Sequence, residues 1–322
     1  MAVRDPLSIN RLHVLSTNDF SLANRVSYEY DLRGPSITIK TGCSSSIIAL
    51  HEACQSVASG ECSSAIVAGA NMILTPTMST CMSDGAVLSP DGESKTFDAD
   101  ANGFARGEGV NAVCIKRLDD VLRYGDPIRA VIRSTASNSD GKRGLIGIPS
   151  QEAQEDLIRK AYQRAGGIDP VKPNVGHSEG ASGLTSIVKA VLSLEHRAIA
   201  PNIRFKNPSP KIPFKQSKLH VPQSLTPWPE GRAERVSVNS FGIGGTNGHA
   251  ILESAASRCP RLNGHKDSAL DSFPKLLTLS SMSSKSTQKR IQQLQDLCKN
   301  REVNYSIWVT VSMSVRTESS RA

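Results

Sequence analysis

A cysteine, a histidine and a glycine-rich turn are the parts of this chain that can do chemistry together. Cys43 stands in TGCSSS, after an alternating run with Ile37 and Ile39 that reads as a strand. Beyond it Ile47, Ile48, Leu50, Ala53, Cys54 and Val57 recur at helical spacing, and Gly60 closes the pattern as a helix-ending residue. A thiol at a helix N-terminus meets free N–H groups and the positive end of the macrodipole, which favour a thiolate. The three serines after it add local hydrogen bonds, and such a turn can expose a nucleophile above a sheet. His177 lies on a glycine-flanked loop before a second helix. Residues 242–248, GIGGTNG, join two strands with little side chain to obstruct a close approach. A thiol nucleophile needs a nearby imidazole and a hole of N–H donors for the oxyanion. The N–H of Cys43 and one from the glycine turn can form that hole, so the three features converge on acyl-thioester chemistry.

Each feature also has a plain structural reading. Most free cysteines are small buried hydrophobes, and a lone histidine is more often a satisfied structural residue than a catalyst. The acids Asp91, Asp98, Asp100, Glu108 and Asp140 are scattered over loops and read as solvated surface. The glycine turn lacks the GxxxxGK[ST] pattern and links strands rather than opening a helix, which argues against nucleotide binding.

Alternating elements must position these residues. Residues 65–70 are a short apolar run, read as a strand buried on both faces. Residues 110–116 and 128–134 alternate like strands, with a short helix at 118–124 between them. Ser150 can cap a helix over 151–165, with Glu152 and Glu155 against the dipole. After His177 a helix carries Leu184, Ile187, Val188, Val191 and Leu194 on one face. The proline-rich stretch 201–229 reads as loop with a short strand at 219–221, and 235–239 and 249–253 read as strands. Strands alternating with helices predict α/β layers. Past 254 the composition turns polar and serine-rich, with a strand expected at 276–280 and a helix at 287–299.

The chain has 322 residues, 38% hydrophobic and 21% charged, enough for one large or two moderate domains. Its net charge of +8 is mostly a basic tail: 254–322 holds eleven Lys and Arg against five Asp and Glu. No basic patch interleaved with aromatics is present, so nucleic-acid binding is not expected. Seven irregularly spaced cysteines without a C-x-x-C pair argue against a disulfide framework or metal site. They point to a reducing compartment. The first residues have no apolar core for a signal peptide and no run reaches a membrane span, so the expected location is cytoplasmic. The first clear element ends near Cys43, so an N-terminal part of the enzyme is expected to be missing.

Five ordered stretches carry a resemblance: LANRVSYEYDLRGPSITIKTGCSSS, LSPDGESKTFDADANGFARGEG, VKPNVGHSEGASG, PNIRFKNPSPKIPF and VSVNSFGIGGTNGHAILE. Spanning about residues 20–253, they resemble the β-ketoacyl synthase domain of type I iterative polyketide synthases of the fungal highly reducing kind. PKLLTLSSMSSKSTQKRIQQLQ resembles the start of the linker leading to an acyltransferase domain. The resemblance divides the chain into a partial ketosynthase domain, 1–253, and a linker with a divergent basic tail, 254–322. It implies a thiolase-like αβαβα layered fold, usually dimeric. In that family a cysteine accepts an acyl chain from an acyl carrier protein, and decarboxylated malonyl on a second carrier attacks it. No tightly bound cofactor is implied, because the substrates ride on phosphopantetheine. By motif, Cys43 corresponds to the acylated nucleophile, His177 to the second catalytic histidine and Lys172 to the lysine of the same motif. The N–H groups of Cys43 and Ile243 correspond to the oxyanion hole. Phe241, Gly242 and Gly244 belong to the same turn, and the family commonly has phenylalanine where Ile243 stands.

The family's first catalytic histidine lies in an EAHGTGT segment. Here the chain runs from Gly167-Ile168-Asp169-Pro170 straight to Val171-Lys172, without that segment. His13, His51, His196, His220, His249 and His265 lie outside its place. The expected fold is therefore incomplete, with unpaired ladders and exposed apolar faces. Two readings stay beside full condensation: a ketosynthase-like remnant that only binds or is only acylated, and a simpler acyl-thioester hydrolase or transferase using Cys43 and His177 alone.

Overall fold

The computed structural model describes residues 14–15, 18–142, 150–162, 172–216, 219–259 and 292. The chain divides into two units, Met1–Cys259 and Pro260–Ala322. The strand and helix expected at 276–280 and 287–299 lie outside the described residues apart from Gln292. In order the elements are α1 (Ser21–Glu29), α2 (Ser45–Ser59), β1 (Ser64–Asn71), α3 (Thr77–Asp84), β2 (Gly109–Lys116), α4 (Leu118–Tyr124), β3 (Ala130–Ser139), α5 (Gln151–Tyr162) and α6 (Lys172–Val175). A 3₁₀ turn (Glu179–Ala181), α7 (Ser182–Glu195), β4 (Ala198–Ile199), β5 (Thr226–Pro227), β6 (Arg235–Phe241), β7 (Thr246–Ser254) and α8 (Ala255–Arg258) follow.

The apolar spacing read in the sequence sets the centre. In α2, Ile47 and Leu50 are fully buried, and the helix ends at Gly60 in the left-handed region. In α7, Leu184, Ile187 and Leu194 are buried and Val191 packs beside them. Val188 is exposed, a correction to the expected face. Positions 184, 187, 191 and 194 form the buried stripe, and at 100° per residue 188 falls to its side.

Two sheets flank these helices. β1 and β2 pair antiparallel from Ser64↔Lys116 to Asn71↔Gly109. β7 lies between β3 and β6, antiparallel to both. Ala250 and Leu252 of β7 pack in one core with Ile47, Val67, Leu184 and Val238. The alternate residues, Asn247, His249 and Ile251, are buried on the opposite face. There α5 packs on β3 and β7 through buried Ala153, Leu157 and Ala161, and the Asn138 amide donates to the Ala153 carbonyl at 2.7 Å. The order is sheet, helix pair, sheet, helix: an α/β stack of four alternating layers.

Several expectations are corrected. Residues 35–40 are extended but belong to no ladder. A strand exists through its partner, and instead Thr38, Ser36 and Lys40 attach this segment to Ala23, Ser27 and Asp19 at 3.4, 2.8 and 2.6 Å. β1 is buried only on its helix side. Its outer face, with Ile66 and its β2 neighbours Val110 and Cys114, is exposed. No strand forms at 219–221; the small pair there is β4 with β5. Asp98 and Asp140 are buried, not solvated. The Asp98 carboxylate accepts the backbone N–H groups of Asp100, Lys206 and Asn207 at 2.9, 2.6 and 2.9 Å, which hold it below the usual carboxylate range.

Candidate active site

The end of an extended segment and the start of a buried helix fix Cys43. Thr41 N–H donates to Ser45 Oγ at 2.9 Å, and Ser45 Oγ–H donates back to the Gly42 carbonyl at 2.6 Å. Ser44 Oγ–H donates to the Thr41 carbonyl at 2.9 Å. The Cys43 carbonyl is held from two further elements, by Ser240 Oγ–H of β6 at 2.6 Å and Ser182 Oγ–H of α7 at 3.2 Å.

Residues from the far end of the chain reach this point. His177 Nε2 lies 3.0 Å from Cys43 Sγ. The other ring nitrogen, Nδ1, accepts the Glu179 backbone N–H at 3.1 Å. Burial, then the Lys172 charge, push the His177 pKa down to about 3, so the ring is neutral at ordinary pH. With Nδ1 used as an acceptor, the ring's single proton sits on Nε2 and points at the sulfur. The Phe104 ring packs edge-on against the imidazole at 4.9 Å. The loop before it is pinned through backbone: His177 N–H donates to the Ala105 carbonyl at 2.7 Å and Gly107 N–H to the His177 carbonyl at 2.9 Å. Gly176 is required there, since its φ is 72° and a Cβ would stand 2.8 Å from the Arg106 carbonyl oxygen.

The glycine turn supplies the third part. Gly242 N–H bonds the Thr246 carbonyl at 2.8 Å and Gly245 N–H the Gly242 carbonyl at 2.9 Å, closing the turn between β6 and β7. A Cβ on Gly242 would lie 2.2 Å from the Thr41 carbonyl oxygen, so only glycine lets the turn approach the Cys43 loop. This approach brings the N–H groups of Ile243 and Cys43 close enough to the sulfur to favour its thiolate. The Ile243 side chain is 55% exposed, so its backbone faces the site while its side chain does not cover it. Phe241 ends β6 opposite Asn247, half-buried, and a Cβ at Gly244 would meet nothing.

The electrostatics correct one expectation. Burial pushes the Cys43 thiol above its ordinary value. The Lys172 charge and the N–H groups of Ile243 and Cys43 oppose this, and Glu179 adds to it. Desolvation thus outweighs the helix N-terminus, and the resting sulfur is a thiol. Lys172, at the start of α6, has its pKa lowered by burial, with the Cys43 charge acting the other way. Arg204 steadies this turn, donating to the Pro173 carbonyl at 2.7 Å.

The structure therefore brings together Cys43, His177, the Ile243 N–H and the Lys172 charge. It leaves Phe241 and Gly244 as parts of the turn. Sequence reasoning missed Phe104, Arg106, Glu179, Ser182 and Ser240; all five lie in stretches quoted for their resemblance, but their pairings depend on the fold. The junction at 167–171, where the expected EAHGTGT segment would precede Lys172, lies outside the described residues. His51 bonds Thr135 Oγ1 at 2.8 Å and His249 bonds Asn239 Oδ1 at 2.5 Å, so both rings are engaged elsewhere. Among the described residues no group of three His, Cys, Asp or Glu could hold a metal ion, and no helix is long and apolar enough to cross a membrane.

Three family models match the chain. They are the β-ketoacyl synthase N-terminal domain over 5–121, its C-terminal domain over 167–206 and the ketoacyl-synthetase C-terminal extension over 208–321. The highly reducing polyketide synthase VdtX of Byssochlamys spectabilis is 52% identical over 311 residues, covering 85% of this chain and 14% of its own length. FUM1 of Gibberella moniliformis, also a highly reducing polyketide synthase, is 51% identical over 276 residues, 74% of this chain and 11% of its own. Among solved structures, the ketosynthase from module 6 of the bacillaene synthase of Bacillus subtilis 168 aligns with a TM-score of 0.75 at 29% identity, covering 90% of this chain and 57% of its own. The oxazolomycin ketosynthase domain OzmH KS7 of Streptomyces albus JA3453 has a TM-score of 0.75 at 27% identity, with 88% and 55% covered. The layered α/β fold is thus the thiolase-like fold of ketosynthase domains. The chain spans little more than half the length of those domains and about a seventh of VdtX.

Proposed function

The chain belongs to the β-ketoacyl synthase family and is similar to highly reducing polyketide synthases, and on that premise we propose that Cys43 accepts an acyl group from a carrier-bound thioester and passes it to a malonyl-derived carbanion. The observation that carries this reading is the 3.0 Å contact of His177 Nε2 with Cys43 Sγ, beside the Ile243 and Cys43 N–H groups.

The steps follow from the geometry. The Cys43 sulfur attacks the thioester carbonyl of an acyl chain held on the phosphopantetheine arm of an acyl carrier protein or domain. The carbonyl oxygen becomes an oxyanion, met by the N–H groups of Ile243 and Cys43. The carbon–sulfur bond to the carrier breaks, and the carrier thiol leaves with the proton that Cys43 gives up. His177 cannot take that proton at Nε2, which already bears one, so it acts as a donor toward the sulfur, while the Lys172 charge favours the thiolate. Malonyl on a carrier then loses carbon dioxide as its carbon–carbon bond breaks. The resulting carbanion forms a bond to the acyl carbonyl carbon, and Cys43 leaves as a thiolate, with the His177 N–H directed at it.

One observation favours a narrower second reading, in which Cys43 is acylated but condensation is weak. The sequence has no histidine between His51 and His177, and His51 is bonded to Thr135. A single imidazole then serves decarboxylation, where acid–base help is typically worth about 10²–10⁴-fold. We assign residues 1–253 to the ketosynthase domain and 254–322 to the linker after it. The family's homodimer and a cytoplasmic setting complete the proposal; the six described cysteines are all free thiols, as a reducing compartment would keep them.

Incubation with an acyl carrier thioester, followed by intact-mass spectrometry, is the test. An acyl adduct present in the wild type and absent in Cys43→Ala supports the proposal, and no adduct in a folded sample defeats it. Carbon dioxide release from malonyl carrier separates condensation from acyl holding.

A further inference from the structure

Resting on this ketosynthase-type reading, we infer that the partly buried Arg106–Glu179 ion pair is the positioning device that sets the tautomer and aim of His177. The Arg106 side chain is 8% exposed, and its Nε and Nη2 both donate to Glu179 Oε1, at 3.0 and 2.5 Å. Its remaining arm, Nη1, donates to Ser79 Oγ of α3 at 2.7 Å, so the guanidinium is fixed from two elements. The backbone of Arg106 runs beside His177 in a parallel bridge, and its neighbours Ala105 and Gly107 bond the His177 peptide groups from both sides. The main chain of the histidine is therefore located by 105–107 alone.

What those bonds leave open is the ring. The ring is oriented by the Glu179 N–H, and Glu179 sits at φ 41°, a region that L side chains rarely occupy. This N–H lies in the 178–179 peptide plane, and anchoring Glu179 through its carboxylate holds that plane against the ring. Were that plane to turn, the imidazole could carry its proton on Nδ1 and offer Cys43 a lone pair in place of a donor. The Glu179 carboxylate, anchored on Arg106, holds the residue in the strained state. A second consequence follows from charge. Glu179 acts to raise the Cys43 pKa, and the guanidinium beside its carboxylate offsets that negative charge. A buried ion pair is poor evidence for stability, since desolvation cancels much of the attraction. A role in specifying one ring orientation explains its placement two residues from His177. Arg106 and Glu179 are thus positioning residues; neither needs to touch substrate.

The test uses the full chain labelled with ¹⁵N-histidine, with the His177 signals assigned by comparison with His177→Asn. At neutral pH the wild type should show a protonated, pyrrole-type Nε2 and an unprotonated, pyridine-type Nδ1. Glu179→Gly keeps the N–H donor and removes the backbone strain while deleting the anchor; Arg106→Met deletes the other half. Both should show mixed tautomers and acylate Cys43 about tenfold to 10²-fold more slowly, with cooperative unfolding retained. Glu179→Gly with the wild-type ring signature and rate would overturn the inference, as would an Nδ1-protonated ring in the wild type. Failure of the parent reading looks different: the wild type then takes up no acyl group at all, whatever its histidine signals show.

Discussion

Cys43 and His177 are 134 positions apart, yet the sulfur and Nε2 meet at 3.0 Å. Both were legible in the sequence, because a cysteine before a helical pattern and a histidine on a glycine-flanked loop suit thioester chemistry. Their protonation was not. A helix N-terminus favours thiolate, but burial is the larger effect on Cys43, and only the fold reveals how deep the sulfur lies. The sign of the pH dependence follows. Because the thiol is pushed above its ordinary value, its thiolate fraction at neutral pH is small and grows about tenfold per pH unit. Alkylation of Cys43 by iodoacetamide, followed by mass spectrometry, should keep rising beyond the pH at which an ordinary thiol levels off. No step should occur near 6.5, since burial holds the His177 pKa at about 3. Lys172→Met removes a cation that stabilises the thiolate and should move the profile further to alkaline pH. A plateau already reached at neutral pH would contradict this account of the site.

At the scale of elements, the turn between β6 and β7 and the loop before α2 are one assembly. Gly242 shows why: its missing Cβ is the space occupied by the Thr41 carbonyl. Gly242→Ala should cost about 3 kcal/mol, lower Tm by roughly 6–12 °C and abolish acylation of Cys43. Gly244→Ala, two residues on, meets nothing within 4 Å and should leave both unchanged. Thermal unfolding beside the intact-mass assay checks the pair. The sequence could show that the turn was glycine-rich, but not which glycine was indispensable. The same limit explains the other misreadings. Alternation at 35–40 predicted a strand, but pairing is a property of two segments, and here polar side chains tie the segment to α1. The apolar run at 65–70 predicted cover on both faces, whereas only Val67 of β1 is buried.

Across the whole molecule, the alternation of elements made the α/β class legible, and the helix pair between two sheets matches it. What local patterns could not convey is that the outer face of β1 and β2 carries no layer among the described residues, leaving Val110 75% exposed. They also could not tell which of many cysteines the fold equips for reaction. That distinction is the most direct test of the central claim. Cys81 and Cys114 are exposed, whereas Cys43, Cys54 and Cys62 are only partly so and Cys259 is buried. Non-specific acylation should therefore favour Cys81 and Cys114. The decisive measurement is peptide mapping of the acyl group after brief incubation of the full chain with an acyl-pantetheine thioester. The account predicts the label on the peptide containing Cys43, lost in Cys43→Ala and acquired about 10²-fold more slowly in His177→Asn. Label on Cys81 or Cys114, or uptake that survives Cys43→Ala, would contradict it.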